Sequence, residues 1–174
     1  MKEALALLLV AAFGAVAYWP YHVSGAFLAA LAAEDEAAVA ERVDFSALKA
    51  HLNARLHEAE ARADAAAAGV PGDPPNSGVL QSLVGGLARA MGERLIELFV
   101  SPGSLIAFTR LGEEDPGARL AAARRRWVDP SHFEVEVGQG EEALTFVFER
   151  RGLTWKVVDL RFDPEGLRKR LALH

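Results

Sequence analysis

Residues 144–162, LTFVFERRGLTWKVVDLRF, decide the fold. Leu144, Phe146 and Phe148 recur at every second position, the period of a strand with one face turned inward. Arg150-Arg151-Gly152 makes a tight connection, and a second apolar strand follows, so the stretch reads as a β-hairpin. In that second strand Val158, Leu160 and Phe162 form one apolar face, while Trp155 and Val157 fall on the other with Asp159 and Arg161. Two arrangements satisfy this pattern. Either the second face is concave and curves around a small cavity, or a β-bulge near Val157 turns Trp155 back into the core.

Working outward, His132-Phe133-Glu134-Val135-Glu136-Val137 alternates cleanly, with Phe133, Val135 and Val137 inward and His132, Glu134 and Glu136 outward. Residues 138–142 make the turn into the hairpin. Upstream of Trp127 the period is helical. Ser24 is placed to cap a helix over 25–33 whose Phe27, Leu28 and Leu31 share a stripe. Asp35 caps a second helix carrying Val39 and Val43, and Asp44 a third that starts at Phe45, carries Leu48, Leu52 and Leu56, and runs to about Ala68. Residues 69–78, GVPGDPPNSG, form a loop. A long helix follows over 79–100, with Gly85-Gly86 read as a close approach of another helix. Ser104 then caps a short helix over 105–111, residues 112–117 form a loop, 118–126 make one more helical piece, and 165–173 a terminal helix. Helices first and strands last predict an α+β fold: N-terminal helices packed on a C-terminal antiparallel sheet of three to four strands.

Ahead of this body lies an uncharged run of sixteen residues, ALALLLVAAFGAVAYW at 4–19, ending at Pro20. As a helix it is about 24 Å long, against about 30 Å for a hydrocarbon core. It fits a signal peptide, with Ala15-Val16-Ala17 as the small residues before a cut, and an uncleaved membrane anchor with Tyr18, Trp19 and Tyr21 as interfacial aromatics, the reading that the aromatic cluster favours. The division is therefore residues 1–19 as anchor or signal peptide and 20–174 as a single α+β domain. Lys2 before the run, and Glu34, Asp35 and Glu36 as the first charges after it, orient the body outward. The expected place is the cell envelope, anchored in the inner membrane facing the periplasm or exterior, or secreted to the periplasm.

The chain is 51% hydrophobic and 25% charged, the balance of a globular protein rather than a disordered one. It has no cysteine, which excludes disulfides, thiolate metal sites and a cysteine nucleophile. A net charge of −5 argues against nucleic acid as a partner. The balance reverses locally at Arg119 and Arg124 to Arg126, a cationic cluster suited either to anionic lipid headgroups or to pairing with the acidic first helices.

Catalytic patterns are sparse. His51 and His57 are six apart on a helix, about 600° of turn, and so do not share a face. No serine stands in a nucleophile-elbow setting and no glycine loop is built to cradle phosphate. No cofactor, metal or catalytic residue is assigned. The ligand-binding candidates are Trp155, Asp159 and Arg161 on the second face of the hairpin, with Arg161 suited to an anionic headgroup and Trp155 to its apolar part, and His132 beside Glu134 and Glu136.

The apolar run ending in Tyr18-Trp19-Pro20-Tyr21, then 29–45 as AALAAEDEAAVAERVDF, then 151–162 as RGLTWKVVDLRF, together resemble the bacterial family catalogued as domain of unknown function 2939 (DUF2939). The resemblance implies a small envelope-associated protein with no activity attached to it. The order of elements also looks like the cystatin-like α+β folds of the nuclear transport factor type, an analogy of fold alone. The expected function is that of a non-enzymatic envelope domain binding a protein partner or a small apolar or anionic ligand. An enzyme with a pocket on a concave sheet face, and a structural subunit of an envelope complex, are the alternatives.

Overall fold

The computed structural model describes residues 2–68, 100–110 and 115–163. The first helix, α1, spans Lys2–Ala32 and passes through Pro20 without interruption. This corrects the expectation of a separate helix capped by Ser24. The Ser24 hydroxyl instead donates to the Tyr21 carbonyl one turn back, inside the helix, where the side chain is fully buried. Pro20 removes one backbone donor, but burial of Phe27, Leu28 and Leu31 in the core holds the following turns helical.

Two predicted caps are present as expected. Asp35 accepts from the Ala38 N–H to start α2, Glu36–Arg42, and Asp44 accepts from the Ala47 N–H to start α3, Phe45–Ala68. Val43, between them, bridges to Val157 in parallel, and the Asp44 N–H donates to the Val157 carbonyl, so this junction is stitched to the last strand. The next described helix, α4, is Pro102–Arg110. It begins earlier than predicted because Ser101, not Ser104, receives the first-turn N–H: the Ser104 amide donates to the Ser101 hydroxyl. Helix α5, Pro116–Ala121, is capped by Asp115 and stops well short of the predicted 126. The three arginines that were expected to extend it belong to a strand. The predicted loop at 69–78, the helix over 79–100 apart from its last residue, and the terminal helix at 165–173 lie outside the described residues.

Four strands follow: β1 Arg124–Asp129, β2 His132–Val137, β3 Leu144–Arg151 and β4 Thr154–Phe162. They pair antiparallel in the order β1-β2-β3-β4, a simple meander. The structure is thus α+β, with helices first and a four-stranded antiparallel sheet last. The inward set of β2 and β3 is as predicted: Phe133, Val135, Val137, Phe146 and Phe148 are all completely buried.

The ambiguity in β4 is resolved by its register. Val147 faces Asp159, yet Phe148, the next residue of β3, faces Val157. Val158 is therefore the extra residue of a β-bulge. The bulge reverses the alternation at that point, so Trp155 and Val157 before it and Leu160 and Phe162 after it all face the helices. Trp155 stands edge-on to Trp127 from the opposite edge strand, at 5.5 Å between ring centroids. Trp127 in turn meets Phe133 at 5.6 Å, and Phe27 of α1 meets Phe146 at 5.1 Å and Phe148 at 5.5 Å. Each such side chain stabilises the fold by about 1.5–3 kcal/mol through burial.

At the far end of the sheet the Arg119 guanidinium donates to the carbonyls of Val137 and Glu142, clamping the β2–β3 turn. Gly138 is at φ 90° beneath it, so close that a Cβ would meet the guanidinium. Arg119 is thereby a turn clamp rather than part of a cationic cluster. Among the described residues no helix is long and apolar enough to cross a membrane. The side chains of residues 1–13, which carry most of the apolar run, lie outside them.

Candidate functional site

The sheet face turned away from α1 carries alternating charge. In register across it stand Arg126, Glu134, Val147 and Asp159, and beside them Arg124, Glu136, Thr145 and Arg161. Arg126 ion-pairs with one carboxylate oxygen of Glu134, and Arg161 with the other at 2.8 Å. The Arg161 Nε also donates to Asp159 at 3.3 Å, and Arg55 of α3 ion-pairs with the remaining Asp159 oxygen. Arg124 pairs with Glu136. The result is a ribbon running Arg126–Glu134–Arg161–Asp159–Arg55 from one edge strand to the helix beyond the other.

The carboxylates are covered while the arginines are open to water. The side chains of Glu134 and Asp159 are 8% and 9% exposed, against 74% for Arg126. Bare carboxylates would not be buried on a sheet face, because desolvating an unpaired charge costs several kcal/mol. Each has two guanidinium partners, and Glu134 raises the pKa of Arg126 by direct hydrogen bonding and by its charge. Arg55 adds a second bond, donating to the Leu160 carbonyl at 2.9 Å, which ties α3 to β4.

Of the predicted ligand-binding residues, the structure brings Asp159 and Arg161 together and separates the other two. Trp155 is on the opposite, helix-covered face because of the bulge. His132 is outward as expected, but its partner is Asp129 in the β1–β2 turn, Nδ1 to Oδ2 at 2.8 Å, rather than Glu134 or Glu136. The Ser131 hydroxyl and backbone N–H both bond Asp129, and with the His132 imidazole they hold the Asp129 carboxyl down at about 2. Serine, histidine and aspartate lie together here without forming a nucleophilic relay. A relay needs the imidazole to bridge serine and aspartate through its two nitrogens, whereas both Ser131 and Asp129 address Nδ1. Among the described residues no cluster of three or more metal-ligating side chains occurs.

An open depression of about 470 Å³ lies at the β1–β2 side of the ribbon, lined by Arg124, Arg125, Arg126, Glu134, Glu136 and Thr145. It is a charged recess on the surface, not the enclosed cavity of the concave-face alternative. Arg55 and Glu134 were not among the predicted ligand-binding residues, and Arg124 and Arg126, read as part of a cationic cluster for lipid headgroups or for the acidic first helices, pair instead with Glu136 and Glu134 of β2. Glu134 and Arg126 carry a signal in retrospect, since outward glutamates two apart match outward arginines two apart on the neighbouring strand. Arg55 carries none, being 104 residues from its partner.

A meander sheet covered on one face by helices and on the other by paired charges defines a small α+β domain with an ionic outer surface. A family model described as "Protein of unknown function (DUF2939)" matches residues 9–107, and the chain belongs to that family. The match takes in the apolar run and α1 from residue 9 onward, α2, α3 and part of α4, and ends before the sheet, so residues 151–162 stand outside it. No curated protein and no solved structure matches the chain.

Proposed function

We propose that this protein is a non-enzymatic binding domain of the cell envelope, held at or exported across the membrane by its N-terminal apolar segment. Its ligand in this reading is an anionic group, best supplied by an acidic segment of a partner protein. The observation that carries it is the depression beside β1. It opens on a face where four arginines, Arg55, Arg124, Arg126 and Arg161, stand with three carboxylates, Glu134, Glu136 and Asp159, in a chain whose net charge is −5. The local surplus is cationic, which favours an anionic partner both by contact and by steering. The sheet with α1 laid along it also supports the cystatin-like reading of the architecture, which by itself carries no activity.

Titration with a hexaglutamate peptide and, separately, inorganic phosphate tests the site by NMR. Salt-sensitive shifts confined to β1 and β2 are expected, and they should weaken in Arg124→Ala. Absence of shifts with both probes would overturn the binding reading. Location is tested independently by fractionation: recovery of the body in the cytosolic fraction would overturn assignment to the envelope.

A further inference from the structure

The two hairpin turns of the sheet lie at one end, side by side. His132 at the start of β2 pairs with Glu149 near the close of β3, and the Arg150 N–H donates to the Ser131 carbonyl at 2.8 Å across the gap between the turns. Beside the β1–β2 turn, β1 exposes Val128, at 53%, and the β3–β4 turn exposes Leu153, at 85%. Helix α1 enters the core from this same end. Its Tyr21 stacks edge-on against Phe133, next to the first turn, at 4.9 Å, while Phe27, nearly two turns later, sits deeper over Phe146 and Phe148. The helix upstream of Tyr21 therefore leads away from the hairpin turns, and it carries the apolar run.

The large apolar side chains exposed among the described residues are Tyr18, Trp19, Tyr21, Val128 and Leu153. All five belong to this one end. Tyr18 and Tyr21 stack at 6.4 Å, and Trp19 leans on His22 at 6.0 Å, making an aromatic collar at the base of the emerging helix. A soluble surface tolerates scattered apolar residues, but a group gathered around the exit of an apolar helix marks a contact surface.

We infer that this end of the molecule is a bilayer-contacting face, in which Val128 and Leu153 dip into the headgroup region level with the Tyr18–Tyr21 collar. Tyrosine and tryptophan beside an apolar helix favour that depth because each has an apolar body and a polar edge. The charges agree with a mainly apolar contact. Arg151 is engaged by Glu149 at 2.8 Å and Asp44 at 3.9 Å, and Lys156 by the Glu41 carbonyl, so the end is not a polybasic clamp. The inference rests on the proposed membrane attachment of the N-terminal segment and adds the pose of the folded body against the surface.

The absence of cysteine makes the test direct. Full-length chains carrying Leu153→Cys, Val128→Cys or, in the β2–β3 turn at the opposite end, Gln139→Cys are labelled with an environment-sensitive fluorophore. They are then reconstituted in vesicles of phosphatidylcholine and phosphatidylglycerol. The labels at 153 and 128 should shift to the blue on vesicle addition, with the label at 139 unchanged. If the chain floats with the vesicles but the labels at 153 and 128 stay as aqueous as that at 139, the inference falls and membrane attachment stands. If the chain does not float, both fall. A blue shift at 153 that appears without vesicles and grows with protein concentration would assign the face to a second copy of the chain, and would equally overturn the inference.

Discussion

Single side chains on the outer sheet face do work that their local sequence does not announce. Asp159 sits nearly buried between Arg55 and Arg161, with the His51 Nδ1 at 4.0 Å. Converting Asp159→Asn keeps the volume and removes the charge that two guanidiniums address. Because both arginines are partly exposed and regain water, the expected loss is about 1–3 kcal/mol rather than the larger cost of breaking a sealed pair, and chemical denaturation reads it. Asp129 tests a different term. Its folded pKa, about 2, is below the ordinary 3.8, so its hydrogen bonds stabilise the fold above pH 4 and their contribution disappears as pH falls toward 2. Ser131→Ala removes the hydroxyl bond that does most to lower the Asp129 pKa, and the carboxyl should titrate closer to its ordinary value in an NMR pH series. The depressed value is a turn property: Asp129 also accepts from the backbone N–H of Ser131 and of His132.

At the scale of elements, the β-bulge in β4 settles which face each residue of the last strand occupies. Removing Val158 would restore strict alternation with Trp155, Val157, Leu160 and Phe162 still on the helix face, whereas removing Lys156, outside the bulge, would turn Trp155 to the outer face. Loss of cooperative thermal unfolding is the expected outcome of the Lys156 deletion, whereas the Val158 deletion should still unfold cooperatively, at a lower midpoint because a buried valine is lost. Elements were legible in the sequence where their signals are local. Asp35 and Asp44 cap the helices that follow them, and Phe133, Val135 and Val137 alternate as read, because a cap or an alternation needs only its neighbours. The bulge stayed undecided, since the same residues suit a curved face and a shifted register, and only pairing with β3 chooses. Pro20 and Ser24 looked like a helix boundary, but burial of one side of α1 outweighs both local signals. The arginines at 124 to 126 continued an alanine-rich helical composition, and the glutamates that make them a strand lie on the next strand.

Across the whole molecule, one aromatic cluster joins every layer. Tyr21 and Phe27 from α1, Trp127 from β1, Phe133 from β2, Phe148 from β3 and Trp155 from β4 touch in sequence. Phe27 is completely buried between Phe146 and Phe148, and Phe27→Ala should cost about 3–5 kcal/mol. Equilibrium unfolding monitored by near-ultraviolet circular dichroism measures that loss, since the rings it orders are the chromophores. The candidate site is a feature of this scale too. Asp159 and Arg161 were visible as a pair on one strand, but the ribbon they belong to draws on α3, β1, β2 and β4, which meet only in the folded chain.

The continuity of α1 has a mechanical meaning. The same rigid rod forms the apolar leader and, two turns past Pro20, the central beam of the core, with no slack segment between them. A tension or torque applied at the leader is delivered straight to Phe27 and the sheet, rather than absorbed by an extensible tether. The domain therefore follows its leader's tilt as a lever follows its handle.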